Sequence, residues 1–138
     1  MKNSLKYGLI IGLVSGLYIL ILHLTGAYEA HFPVSDSFTW FEGLSVLIPL
    51  FGIYFGVKSF RDNYNGGRME FFEGIFEAIK IVLVGGLITA FFAVIYVEQI
   101  SNSDKNLDIW GRIGAGGIVG VVFILAIPLL LMNKQRNL

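Results

Sequence analysis

Four ionisable side chains at helical spacing are the part of this chain best able to do chemistry. Glu70, Glu73, Glu77 and Lys80 fall, at 100° per residue, within an arc of about 80°. Carboxylates beside an ammonium group on one face can relay protons or bind a cation. What they do depends on depth. If a membrane span begins at Glu70, Lys80 lies about 15 Å into the bilayer. A charge there costs several kcal/mol unless paired, and it marks an ion or substrate path. If residues 66–80 instead form an amphipathic entry along the interface, the charges stay wet. Phe71, Phe72, Ile75, Phe76 and Ile79 then face lipid or bundle. Glu70 and Glu73 favour the helix N-terminus, and Glu77 pairs with Lys80 three residues on. Residues 81–97 still span about 25 Å. The second reading avoids the buried charge and is the one adopted.

Other polar groups offer less. His23 and Glu42 stand near the outer ends of two apolar segments and could meet as a proton-linked pair. His31, Glu29 and Asp36 occupy one loop and could hold a divalent ion weakly, although solvated loop residues are the default. The chain has no Cys and only two His, so a disulfide or a thiolate metal site is excluded. There is no P-loop, GxSxG, HExxH or dinucleotide fingerprint. Gly114-Ala115-Gly116-Gly117 opens a helix without a preceding strand, which fits packing better than phosphate. We expect no enzyme, no cofactor, no metal and no nucleic-acid partner, the last for want of a basic surface.

The elements that must position these residues follow from composition. The 138 residues are 55% hydrophobic and 14% charged, against about a quarter charged in a soluble domain. Four long apolar segments suit a bilayer core of about 30 Å. Their continuity favours helices over alternating barrel strands. The expected fold is an all-α integral membrane four-helix bundle. It forms one domain over 1–138, with helices at about 5–25, 40–60, 70–97 and 111–132. The first segment is too long for a cleaved signal sequence and is expected to remain.

Charge placement sets orientation. Lys2 and Lys6 precede the first segment. Lys58, Arg61 and Arg68 lie between the second and third, and Lys134 and Arg136 follow the fourth. The loop at 25–39 has no Lys or Arg, and the loop at 98–109 has only Lys105. The positive-inside rule therefore places both termini in the cytoplasm, with Lys58, Arg61 and Arg68 as topology anchors. Arg112 alone dissents and is expected to snorkel or pair with Asp108. Trp40, Phe38, Phe41, Tyr96 and Trp110 read as interfacial aromatic belts.

Helices in lipid associate where small residues let backbones approach. Gly8, Gly12 and Gly16 form a double GxxxG stripe. Ser45, Pro49, Gly52, Gly56 and Ser59 form a heptad-like seam. Gly85, Gly86, Ala90 and Ala93 mark the third helix, and Gly116 and Gly120 the fourth. Packing inside one bundle is favoured over a stripe reserved for a second copy or another protein. Pro49 and Pro128 are expected to kink their helices independently, although their similar settings hint at two related hairpins.

Residues 63–67 have the composition of a tight turn, with Gly66 or Gly67 supplying positive φ, and Asp62 can pair with Arg61 or Arg68. The run from Phe51 through Lys58-Ser59-Phe60-Arg61-Asp62-Asn63-Tyr64-Asn65-Gly66-Gly67-Arg68, followed by Phe71 and an apolar helix ending in Ile95-Tyr96, resembles the bacterial domain of unknown function 4199 family. The resemblance covers most of the chain and is sharpest from Gly52 to about Tyr96. It implies a small multi-pass protein of the bacterial inner membrane, and it supplies no catalytic or binding residues. The segment between the last two helices is shorter here than is usual in that family, and the start of the third helix is more acidic. The expected role is a non-enzymatic accessory or scaffolding subunit that contacts lipid and either itself or another membrane protein. The alternative is a small transporter or channel using Glu73, Glu77 and Lys80.

Overall fold

A computed structural model describes residues 1–24, 40–100 and 106–133, with the surroundings of a few side chains near the far helix ends left undescribed. Four α-helices run up and down in chain order. They are α1 (Lys2–Leu24), α2 (Trp40–Ser59), α3 (Phe71–Ile100) and α4 (Asn106–Leu131). Among the described residues there is no strand. The all-α, four-helix expectation holds. Lys2–Ile21, Gly43–Tyr64 and Phe71–Phe92 are long and apolar enough to cross a membrane, and Gly117–Leu131 is a shorter apolar stretch.

Two boundaries differ from expectation. The basic segment after α2 is largely helical, because Phe60–Tyr64 continues the axis as a π-helical turn. Arg61 therefore rides on a helix rather than in a loop. The actual reversal is shorter. It turns on Gly66 and Gly67, whose φ values of +66° and +77° are open to glycine at little cost. The second difference is in α4, which starts at Asn106 rather than at about 111, whereas α3 is one continuous helix from Phe71, close to its expected start.

The helices meet as the glycines dictate. α1 and α3 are parallel and adjacent, and Gly8, Gly12 and Gly16 face Val84, Ile88 and Phe92 in turn. Both rows advance by four residues, so i±4 ridges interlock as in GxxxG crossings. A Cβ on Gly8 would stand 2.6 Å from Val84 Cβ, and one on Gly12 would stand 2.5 Å from Ile88 Cβ. Neither space exists, so these positions admit hydrogen only. α2 runs antiparallel to α1, with Gly52 against Ile11 and Gly56 against Tyr7 and Ile81. α4 runs antiparallel to α3. There Gly74 receives Pro128, and Gly120 makes ordinary contact with Val82.

The buried apolar core is Ile11, Ile53, Val57, Met69, Ala78, Ile81, Ile127 and Leu131. Most of these residues lie toward the end that carries the N-terminus and the α2–α3 turn. Leu and Phe side chains such as Leu9, Leu17, Phe51, Phe55, Leu83, Leu87 and Leu130 point outward. In water that surface would be a liability, and in lipid it is the expected exterior.

A buried polar cluster at the basic end of the bundle

Glu77 lies six residues into α3, about 9 Å from its start at 1.5 Å per residue. It shares the inward face with Gly74, Ala78 and Ile81, and only 2% of it is exposed. Glu77 is enclosed by protein close to the basic end of the bundle, and not on the solvated face expected for it. A buried carboxylate requires partners, and Asn3 of α1 supplies the closest. Its Nδ2 donates to Glu77 Oε1 at 2.7 Å and to the Gly56 carbonyl of α2 at 3.0 Å. One amide therefore joins three helices. Asn3 is itself only 3% exposed. Gly56 belongs to the last α-helical turns before the π-helical one.

Lys80 is the second partner, with Nζ 3.7 Å from Glu77 Oε2. The i,i+3 pairing expected from spacing is present. Its side chain is 49% exposed, so the pair is only partly enclosed by protein. Glu73 is apart from this cluster. Its Oε2 accepts the backbone N–H of Glu70 and Asn65 Nδ2, both at 2.9 Å. The first of these bonds is half of a capping box at the start of α3, and it fixes the turn to the helix. Sequence spacing placed Glu73, Glu77 and Lys80 together. The structure brings only the last two into contact.

A second polar set joins the turn to α4. Asn133 Oδ1 accepts the Met69 N–H at 2.9 Å, while its Nδ2 donates to the Gly67 carbonyl at 2.7 Å. The Asn133 N–H donates to the Met69 carbonyl at 3.3 Å. Arg61 Nη1 donates to the Leu131 carbonyl at 3.1 Å, which satisfies an orphan acceptor at the end of α4. Its Nε lies 2.7 Å from Asp62 Oδ1, the local pairing expected from sequence. Lys58 is half-buried, and the Arg68 carbonyl accepts from Asn65 Nδ2 at 2.7 Å.

Asn3 and Asn133 were not found by sequence reasoning. Each is a single amide beside terminal lysines, with no pattern to set it apart from a solvated residue. Among the described residues, no buried side-chain nitrogen or oxygen lacks a partner, and no three His, Asp or Glu side chains converge. The arrangement ties α1, α2 and α3 together through Asn3 and Glu77. His23, His31, Glu29, Asp36, Glu42, Asp108 and Arg112 lie outside the described surroundings, as do the aromatics Phe38, Trp40, Phe41, Tyr96 and Trp110. So does Gly116 of the α4 stripe.

A family model described as a protein of unknown function (DUF4199) matches residues 6–106. No curated protein and no solved structure matches the chain.

Proposed function

We propose that this chain, which belongs to the DUF4199 family of proteins of unknown function, is a multi-pass protein of a bacterial inner membrane that serves as an accessory or scaffolding subunit. Both termini and the α2–α3 turn face the cytoplasm. The observation that carries the reading is the satisfied state of the polar groups. Asn3, Gly56, Glu77 and Lys80 are linked to one another, and the remaining inward surface is apolar apart from Ser4, whose hydroxyl donates to the Met1 carbonyl. A closed cluster of that kind suits a rigid packing unit. The orientation rests on Lys2, Lys6, Lys58, Arg61 and Arg68 gathering at one end, as the positive-inside rule requires.

Reporter fusions test the topology. Signals at Asn65 and Leu138 are expected in the cytoplasm, and signals at Ser35 and Asn102 outside. A cytoplasmic signal at Ser35 would overturn it. Co-purification from native membranes tests the role, and a stoichiometric membrane partner is the expected result. Recovery of the chain alone, at native expression and under mild solubilisation, would count against an accessory subunit. A small transporter or channel is the second reading, favoured by the buried carboxylate of Glu77 beside Lys80. It requires Glu77→Gln or Lys80→Met to change a transport or growth phenotype while the protein remains folded.

A further inference from the structure

An open groove of about 270 Å³ runs along the outer seam between α1 and α2. Tyr7, Ile11 and Val14 line one side, and Ile48, Phe51 and Phe55 line the other. The two helices are antiparallel, so Tyr7 and Phe55 form the end nearest the basic cluster. From Tyr7 to Val14 the slot rises about 10 Å at 1.5 Å per residue. Its walls are apolar, and its mouth is cationic. The Lys6 ammonium stands 5.7 Å from the centre of the Tyr7 ring. Lys58 follows Phe55 by three residues and Phe51 by seven, so it shares their face one turn below the groove. Neither lysine belongs to an ion pair among the described residues. Asp62, one turn beyond Lys58, is held by Arg61 at 2.7 Å.

We infer that this seam binds one anionic phospholipid, with an acyl chain in the slot and the headgroup phosphate between Lys6 and Lys58. A zwitterionic lipid fills the slot equally well but brings its own cation to the two lysines, so it gains less there. The inference rests on the membrane reading above and on the basic end facing the headgroups.

Native mass spectrometry of the full chain in detergent micelles tests it, with dioleoyl phosphatidylglycerol and dioleoyl phosphatidylcholine as the probe lipids. One phosphatidylglycerol should be retained at least about tenfold more tightly than phosphatidylcholine, from two basic contacts near the surface. Lys6→Gln and Lys58→Gln should each cut that preference about fivefold, and the corresponding arginine variants should keep it. Val14→Trp, which fills the slot, should weaken both lipids. Arg68→Gln, away from the seam, should leave the preference unchanged. Equal retention of the two lipids by the wild type overturns the site. So does an equal loss in Arg68→Gln, which would assign the effect to general basicity. Release of the chain from membranes by alkaline carbonate would sink the membrane reading itself. A membrane-embedded chain with no lipid preference would sink only this site.

Discussion

Gly12→Ala is the most direct probe of the α1–α3 seam. The new methyl would stand 2.5 Å from Ile88 Cβ, 2.6 Å from Ile88 Cγ2 and 3.2 Å from the Gly85 carbonyl oxygen. Carbon atoms pack at about 3.5–4.0 Å, so the helices must part by about 1 Å, a gap that forfeits a quarter to a half of each dispersion contact. Gly8 and Gly16, one turn away on either side, lose contact with Val84 and Phe92 at the same time. Overpacking of this kind costs about 1–3 kcal/mol. The upper part of that range is expected, because Ile88 Cβ is fixed to its backbone and cannot rotate away. Gly86→Ala is the control. Nothing lies within 4 Å of a Cβ there, so the variant should be neutral or gain up to about 1 kcal/mol of helix propensity. Second-site changes sharpen the test. Ile88→Ala keeps the obstructing Cβ and should leave most of the defect. Ile88→Gly removes it and should couple favourably to Gly12→Ala by about 1–2 kcal/mol. Reversible unfolding in mixed micelles, titrated with sodium dodecyl sulfate and followed by circular dichroism, measures each value. The reasoning fails if Gly12→Ala is no less stable than Gly86→Ala, or if Ile88→Ala rescues as fully as Ile88→Gly.

Three further outcomes are expected. Asn3→Ala removes two interhelical hydrogen bonds, each worth about 0.6–1.7 kcal/mol between membrane helices. It should therefore cost about 1–3 kcal/mol in the same titration, with Glu77→Gln milder because its amide oxygen can still accept from Asn3. Equal stability of Asn3→Ala and wild type would refute the three-helix bridge. Asn133→Ala should free the α2–α3 turn from α4, seen as faster amide hydrogen exchange at Met69 with exchange in the middle of α1 unchanged. Slow exchange at Met69 in that variant would show that the clamp is not what protects it. Gly67→Ala places a side chain at φ +77° and should lose about 1 kcal/mol, whereas Gly67→Asn should lose less. A neutral Gly67→Ala would mean that the turn relaxes.

The architecture was readable where a local signal sufficed. Apolar length predicted four helices, and the Gly8, Gly12 and Gly16 stripe predicted an internal interface that α3 occupies. Gly66 and Gly67 announced the turn, and both adopt positive φ. Local charge pairs were readable too, since Arg61–Asp62 and Glu77–Lys80 lie one and three residues apart. The depth of Glu77 was not. Which side of α3 faces the bundle depends on where α1 lies, and the residue that satisfies Glu77 comes from the first turn of the chain. Hydrophobic periodicity carries no information about a partner 74 residues away. The π-helical turn at Phe60–Tyr64 was equally hidden. Charge and glycine nearby read as a loop, while the stabilising contact of Arg61 is with the far end of α4.

The parallel pairing of α1 with α3 also sets an order of events in time. The nearest chain neighbour of α1 is α2, but its most intimate surface fits only a helix that has not yet been made. At roughly 5–20 residues per second, α3 leaves the ribosome several seconds after α1. On the membrane reading proposed above, the three glycines face lipid or a temporary escort throughout that interval. Amide-to-carboxylate bonding at Asn3 then becomes a late event, possible only after α3 has arrived. Chains arrested before Phe71 should accordingly cross-link through Ser15→Cys, a near-isosteric change beside the glycine stripe, to the insertion machinery, and chains long enough to release α3 should not.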